Sequence, residues 1–288
     1  MIDLPALLAL TSAVLFALSI QVQSLGLDLV DSRSGALINI SATATMYWLL
    51  SPFFVKNSYW LAEATLLFAL VGLFRPALSL NLAVAGVKIL GPTLTSGLAA
   101  TAPVFAAFFA IVLLDENITF PIAIGTGGVV AGIFVMATKP SAGQPRGWPL
   151  WAMLLPLGAA FFRAIGYPVT MIGFKELPDP FFAGLVSYSV SFLVALCLFR
   201  IQRRVFVKFS WGYGWFALAG LINGVSIYSL NTALKFGQLL TVAPIVACSP
   251  LFTIIIGWLF FKREIITWRM VVSISLVVSG IIVVVTQS

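Results

Sequence analysis

Two stretches of this sequence repeat the same pattern. Residues 97–138 read GLAATAPVFAAFFAIVLLDENITFPIAIGTGGVVAGIFVMAT, and residues 241–286 read TVAPIVACSPLFTIIIGWLFFKREIITWRMVVSISLVVSGIIVVVT. Each contains a proline, an apolar run, an acidic residue, Ile-Thr and a second apolar run that carries glycine. A membrane-spanning helix needs about 20 apolar residues. Each stretch therefore predicts a pair of spanning helices, and their likeness points to an internal duplication.

The whole chain has the composition of a membrane protein. Of its 288 residues, 61% are hydrophobic and 9% are charged, whereas a soluble domain carries about 25% charged residues. A soluble fold of this size cannot cover so much apolar surface, so the natural solvent of the chain is a bilayer. The apolar runs predict an all-α polytopic membrane protein with ten transmembrane helices, roughly 4–26, 34–55, 58–88, 92–114, 119–138, 149–173, 181–201, 211–236, 239–261 and 266–286. Pro76, inside the third span, predicts a kink or a break there.

Matching landmarks recur between the two halves of the chain. A shift of 147 positions pairs Ala17 with Ala164, Gly26 with Gly173, Lys88 with Lys235, Ala100 with Ala247, Pro103 with Pro250 and Phe105 with Phe252. One inserted residue near Asp115 then pairs Glu116 with Glu264 and Gly132 with Gly280. We predict an N-terminal five-helix repeat (1–138), a linker (139–148) and a C-terminal five-helix repeat (149–288). Because five is odd, the second repeat enters the membrane from the opposite side, and such inverted repeats are typical of transporters.

Basic residues are divided unevenly between the two predicted faces of the membrane. The connections after spans 1, 3, 5, 7 and 9, with their helix ends, carry Arg33, Lys88, Lys139, Arg146, Arg200, Arg203, Arg204, Lys208, Lys262, Arg263 and Arg269. The opposite face carries Lys56, Lys175 and Lys235. The positive-inside rule therefore predicts that the first face is cytoplasmic and that both termini lie outside.

The two quoted stretches resemble the drug/metabolite transporter superfamily, specifically its ten-helix EamA-like members, and the likeness covers nearly the whole chain. The resemblance implies a multi-pass protein of the cell inner membrane. Members of this superfamily export amino acids and other metabolites, or exchange nucleotide sugars and phosphorylated sugars. Many of them keep both termini in the cytoplasm. That tendency is opposite to the charge count, so the sequence leaves the orientation open.

Two arginines, Arg75 and Arg163, lie inside predicted spans. An arginine at the centre of a span costs about 2.5–3.5 kcal/mol on insertion scales. Arg163 shares one helix face with Gly166, Tyr167 and Thr170, at spacings of three, four and seven residues. The structural alternative is that these arginines snorkel to the membrane surface or bond carbonyl groups freed near Pro76 and Pro168. The functional hypothesis is an anion site, because a guanidinium can grip a carboxylate or a phosphate through two parallel hydrogen bonds.

Further polar residues complete the predicted substrate site. They are Ser79 beside Arg75 on the third span, Asn39, Thr43 and Tyr47 on the second, Tyr188 on the seventh, and Asn223 and Ser226 on the eighth. The alternative for such small polar groups is hydrogen bonding between helices. Glu63, near the start of the third span, is a candidate proton-coupling carboxylate or, alternatively, an interfacial acid that precedes a helix.

These observations predict a secondary transporter, either an exporter or an exchanger. Its substrate would be a small metabolite that bears a carboxylate or phosphate, such as an amino acid, carried by alternating access. The chain has no histidine and no ATP-binding motif, so we expect no cofactor, no metal site and no enzymatic activity. The alternative is an integral membrane enzyme or lipid scramblase without gradient-coupled transport. We expect the protein to contact its small-molecule substrate and membrane lipid, and not nucleic acid. We expect it to be a monomer or a homodimer.

Overall fold

A computed structural model describes residues 3–27, 29–90, 95, 98–137, 149–201, 210–260 and 268–286. The regular structure of these residues is helical. The α-helices are α1 (Leu4–Leu27), α2 (Ser32–Phe54), α3 (Ala64–Gly72), α4 (Ser79–Leu90), α5 (Ala102–Leu114), α6 (Phe120–Ala137), α7 (Leu154–Glu176), α8 (Pro180–Ile201), α9 (Gly212–Phe236), α10 (Leu239–Ala247), α11 (Ser249–Leu259) and α12 (Trp268–Thr286). Single 3₁₀ turns at Asn57–Leu61 and Leu150–Met153 precede α3 and α7.

The described helices confirm ten membrane spans. Six helical segments are long and apolar enough to cross a bilayer, and α5, α6 and α12 contain shorter apolar helices. The helix α2 completes the ten. The third span consists of α3, a π-helical segment (Leu73–Leu78) and α4, while the ninth consists of α10 and α11.

The third span breaks where the sequence predicts it. Arg75 has φ −129° and ψ 131°, which is extended rather than helical backbone, as expected for a residue that precedes proline. The break frees carbonyl groups inside the membrane, where an unsatisfied group is costly. Ser191 of α8 meets this need, since its hydroxyl shares one proton between the carbonyl of Gly72 at 2.6 Å and that of Arg75 at 2.7 Å.

The packing of the two repeats, α1–α6 and α7–α12, has an approximate two-fold relation. The helix α1 packs along α9 in the way that α7 packs along α3 and α4. The contact of α2 with α9 corresponds to that of α8 with α3. The contacts of α1 with α10 and α11 correspond to that of α7 with α5. The pairs α2 with α8 and α6 with α12 each join one element to its own equivalent. With five spans in each repeat, this exchange confirms an inverted duplication.

Hydrogen bonds between the repeats refine the sequence alignment. Thr43 donates to the carbonyl of Gly220 at 2.6 Å, and Ser191 donates to that of Gly72 at the same distance. Both equivalent pairs, Thr43 with Ser191 and Gly72 with Gly220, are 148 positions apart rather than 147. The offset between the repeats is therefore 148 at these positions of spans 2 and 3, whereas Ala100 with Ala247 and Pro103 with Pro250, in spans 4 and 9, keep the offset of 147.

The spans separate two membrane faces of opposite charge, and we name these from their described residues. The acidic face carries Glu63, Asp115, Glu116, Glu176 and Asp179, together with Lys56, Lys175 and Lys235. The basic face carries Arg33 and Arg200, together with Asp31 at the N-cap of α2. The linker 139–148, Arg203, Arg204, Lys208, Lys262, Arg263 and Glu264 lie outside the described residues, as do the side chains of Lys88 and Arg269.

The apolar core is concentrated in the half of the bundle nearer the acidic face. Phe68 and Phe182 are completely buried there, and so are Leu239 and Leu240 at the start of α10. Helices of both repeats contribute to this core. Outer side chains such as Phe53 are 82% exposed, as expected for a surface that meets lipid. The core therefore closes the bundle on its acidic side.

Candidate functional site

A cavity of about 600 Å³ lies between the two repeats. This volume falls within the range of small-molecule sites, about 300–1,000 Å³. Most of its wall is apolar, and the polar lining residues are Arg75, Ser79, Arg163, Tyr167, Ser187, Tyr188 and Ser249. Among the described lining residues, two are cationic and none is acidic. The cavity therefore presents an excess of positive charge.

Arg163 faces this cavity from the middle of α7. Its side chain is exposed although neighbours on the same helix, Ala164 and Gly166, are buried. Arg163 lines the cavity, so part of this exposed surface belongs to the cavity wall. Arg163 shares the cavity with a second guanidinium, that of Arg75, and with the phenol ring of Tyr167. Arg163 is thus neither buried in the core nor extended to the membrane surface.

Arg75 enters the same cavity from the break in the third span. Its guanidinium carbon lies 4.7 Å from the centroid of the Tyr167 ring, an arrangement that holds a cation over the negative face of an aromatic ring. Gly166 makes room for it, since a Cβ at that position would lie 3.1 Å from Cδ of Arg75. Ser191 already bonds the carbonyls freed by the break. The guanidinium is therefore not needed for that structural task.

Tyr188 supplies a hydroxyl group to the cavity. Its oxygen accepts a hydrogen bond of 2.8 Å from the amide Nδ2 of Asn223. Because this bond uses an acceptor site of the oxygen, the hydroxyl proton of Tyr188 is available to a bound ligand. Two guanidinium groups and this hydroxyl give a set of donors suited to an anion.

Five residues of the predicted site lie outside the cavity lining, and three of them hydrogen-bond between helices. Thr43 donates to Gly220 of α9, and Tyr47 donates to the carbonyl of Gly224 at 2.9 Å. Ser226 donates to the carbonyl of Ser12 at 2.8 Å. Asn39 is buried, and its Nδ2 has no partner among the described residues. Asn223 stands one step behind the cavity, through Tyr188.

Glu63 lies outside the membrane span. The helix α3 begins at Ala64, and Glu63 occupies the N-cap position before it, with an exposed side chain on the acidic face. The backbone N–H of Glu63 donates to a carboxylate oxygen of Glu176 at 2.9 Å. This position agrees with an interfacial acid that precedes a helix, and it places the carboxylate far from the two arginines.

The prediction missed the small residues through which spans 4 and 9 form part of the wall. Ala100 and Pro103 line the cavity from one repeat, and their partners Ala247 and Pro250 line it from the other. The signal was present in the sequence, because these residues are landmarks of the duplication. Repeat partners near the middle of a span therefore indicate residues that line the site.

The cavity opens toward the basic face. Ile20 and Leu80, in the halves of their spans nearer that face, are 47% and 41% exposed. Leu230 and Ala243, in the halves nearer the acidic face, are 1% and 5% exposed. Among the described lining residues, those nearer the acidic face are therefore buried, and the exposed ones lie at mid-span and toward the basic face.

Two inverted five-helix repeats around a central cavity define a class of multi-pass membrane protein, one whose architecture is typical of transporters. The model of the EamA-like transporter family matches residues 3–138 and, a second time, residues 150–286. The chain belongs to the EamA-like transporter family. This finding confirms the resemblance seen in the sequence.

Solved structures share this fold. One crystal structure of a protein superposes with a TM-score of 0.79 over 97% of this chain and 95% of the other, at 13% sequence identity. At that identity the likeness concerns the fold alone. A search of curated proteins gave no match.

Proposed function

We propose that this protein is a secondary transporter, an exporter or exchanger, of a small metabolite that bears a carboxylate or phosphate group. The proposal rests on one observation: two guanidinium groups, Arg75 and Arg163, face a single cavity whose described lining contains no acidic residue. A cation inside a membrane is costly unless it serves a ligand or a partner. A bound anion would supply that partner.

The balance of charge bears on which anion would bind best. Because two guanidinium groups of like charge line one cavity, a substrate that carries two negative charges would neutralise both of them. An amino acid, the instance suggested by the family resemblance, brings one carboxylate but also an ammonium group. We therefore expect phosphomonoesters and dicarboxylates to bind more tightly than zwitterionic amino acids.

The mechanism would be alternating access around this cavity. The substrate would enter from the basic face, where the cavity is open, and bind to the arginines and Tyr188. The repeats would then rock to close that face and open the acidic one. We also propose that the protein lies in the cell inner membrane with its basic face in the cytoplasm, and that it has no enzymatic activity.

Purified protein tests the proposal. A thermal-shift panel would compare amino acids, dicarboxylates and phosphomonoesters, because a ligand at a hundredfold excess over its Kd stabilises the folded state by about 2.7 kcal/mol. Liposomes that contain the protein should then show uptake or exchange of the stabilising compound. If cationic or neutral compounds stabilise the protein and anions do not, the proposal is wrong.

A further inference from the structure

Two glutamates of the acidic face each bind the start of a helix in the opposite repeat. Glu176, at the end of α7, accepts hydrogen bonds from the backbone N–H groups of Glu63 at 2.9 Å and Ala64 at 2.8 Å. Glu116, which follows α5, accepts from those of Leu239 at 2.6 Å and Leu240 at 2.8 Å. Each carboxylate uses both of its oxygens.

The chemistry of these contacts favours a strong bond that is easily reversed. The first N–H groups of a helix have no partner inside the helix, and the helix dipole places partial positive charge there. A carboxylate satisfies both conditions at once, with charge-assisted hydrogen bonds. Since water can replace it at the membrane surface, the two ends can separate without leaving groups buried and unsatisfied.

The two contacts cross between the repeats. Glu116 belongs to the first repeat and caps α10 of the second, whereas Glu176 belongs to the second and caps α3 of the first. Both lie on the acidic face, because the connections after spans 4 and 6 emerge on the same side. That face is the closed one, so these contacts tie the repeats together where the cavity has no opening.

The basic face shows a different arrangement at an equivalent position. Gly212, the first residue of α9, lies 148 positions after Ala64 and is its repeat partner. Its N–H group donates at 3.2 Å to the hydroxyl of Ser210, a neighbour in its own chain segment. Among the described residues, this helix start is therefore capped from across the interface on the closed face and by a serine of its own segment on the open face. Two acids in the connections of the open face, Asp28 and Glu264 (the partner of Glu116), lie outside the described residues.

We infer that Glu116 and Glu176 form the gate of the acidic face, two latches that must both release before the cavity opens there. This inference rests on the proposed alternating access. It assigns the glutamates a role as positioning residues, since neither lines the cavity. Their side chains set which face is open, and the arginines set what is bound.

The test measures the accessibility of each half of the cavity in protein held in nanodiscs, where both faces meet the solution. Cys197 and Cys248 are replaced by alanine, and a reporter is introduced as Ala243→Cys in the acidic half or as Leu80→Cys in the basic half. A water-soluble thiol reagent labels the reporter, and the rate of labelling is measured.

The variants are Glu116→Gln and Glu176→Gln, singly and together. Glutamine keeps one carbonyl acceptor but sets an NH₂ group against the second N–H, so each latch loses a bond. The matched control is Asp179→Asn, because Asp179 accepts from the N–H of Phe182 at 2.7 Å on the same face but within its own repeat.

In the double variant we expect the rate at Ala243→Cys to rise about tenfold and the rate at Leu80→Cys to fall, because one face closes as the other opens. Asp179→Asn should change neither. If both reporters react faster, the glutamates only hold the fold together, and the inference is wrong. Unchanged rates would also overturn it.

A milder substitution covers the case in which the double variant does not fold. Glu176→Asp keeps the charge but is shorter by one methylene group, and it should also speed labelling at Ala243→Cys. A protein that shows the reciprocal change but binds no anion would retain the gate and refute the proposed function. The reverse result, anion transport with unchanged labelling, would refute the gate alone.

Discussion

Replacing Arg163 by alanine tests the candidate site most directly. The side chain lines the cavity from mid-α7 and meets no acidic residue among the described lining. Its removal should therefore leave no buried carboxylate without a partner, and the fold should tolerate it. We expect Arg163→Ala to weaken anion binding while the protein remains folded.

The size of this effect follows from the surroundings of the guanidinium. Hydrogen bonds to charged groups contribute about 1.5–3 kcal/mol net. Because water reaches Arg163 in the open cavity, we expect the lower part of this range, which corresponds to a loss of about ten- to thirtyfold in affinity. Arg163→Lys should restore only part of the loss, since an ammonium group lacks the planar fork.

Arg75→Ala and the double variant complete a double-mutant cycle. If one dianion contacts both arginines, the two losses should be coupled rather than additive. The Kd for the best ligand of the thermal-shift panel would be measured by calorimetry in the same detergent. An unchanged Kd in folded Arg163→Ala protein would show that this arginine is structural, and the case for an anionic substrate would then lack support.

Three smaller predictions follow from individual contacts. Gly166→Val should crowd the stem of Arg75 and weaken anion binding, whereas Gly158→Val, where a Cβ meets its neighbour at an ordinary 3.5 Å, should bind normally in the same calorimetric assay. Tyr47→Phe removes a hydrogen bond to a backbone carbonyl of α9, so thermal unfolding should report a loss of stability of about 1 kcal/mol. The affinity for the anion should stay unchanged, and a large loss of affinity would show that Tyr47 contacts the substrate. Lys56→Cys, in a chain without other cysteines, should react with a membrane-impermeant thiol reagent on intact cells if the acidic face is outside. A failure to react would indicate that the acidic face and both termini are cytoplasmic, as in many family members.

The architecture was predictable because a bilayer imposes strong rules on sequence. Transmembrane spans are recognisable as apolar runs. A duplicated five-helix unit leaves proline, glycine and acidic residues at a constant spacing along the chain. The structure shifts this spacing by one residue in spans 2 and 3, as Gly72 and Gly220 show. Such a shift is invisible where apolar residues follow one another without landmarks.

The candidate site was only partly predictable. The cost of a charge in a membrane singles out Arg75 and Arg163 without any structure. Polar uncharged residues are ambiguous, because the same hydroxyl can line a cavity or bond a helix. Thr43 and Tyr47 share a helix face in the sequence, yet their hydroxyls meet carbonyls of α9. Only the packing of the two repeats distinguishes these uses.

The two-fold relation of the repeats separates what the fold needs from what the site adds. Arg163 and Tyr167 line the cavity from span 6, and their repeat partners, 147 positions earlier, are Phe16 and Ile20 of span 1. These partners also line the cavity. The fold therefore accepts apolar side chains at both places, and one of them would avoid the cost of an arginine inside the membrane. Packing alone thus gives no reason for Arg163 to be charged, which supports the proposal that its guanidinium serves an anion held in the cavity.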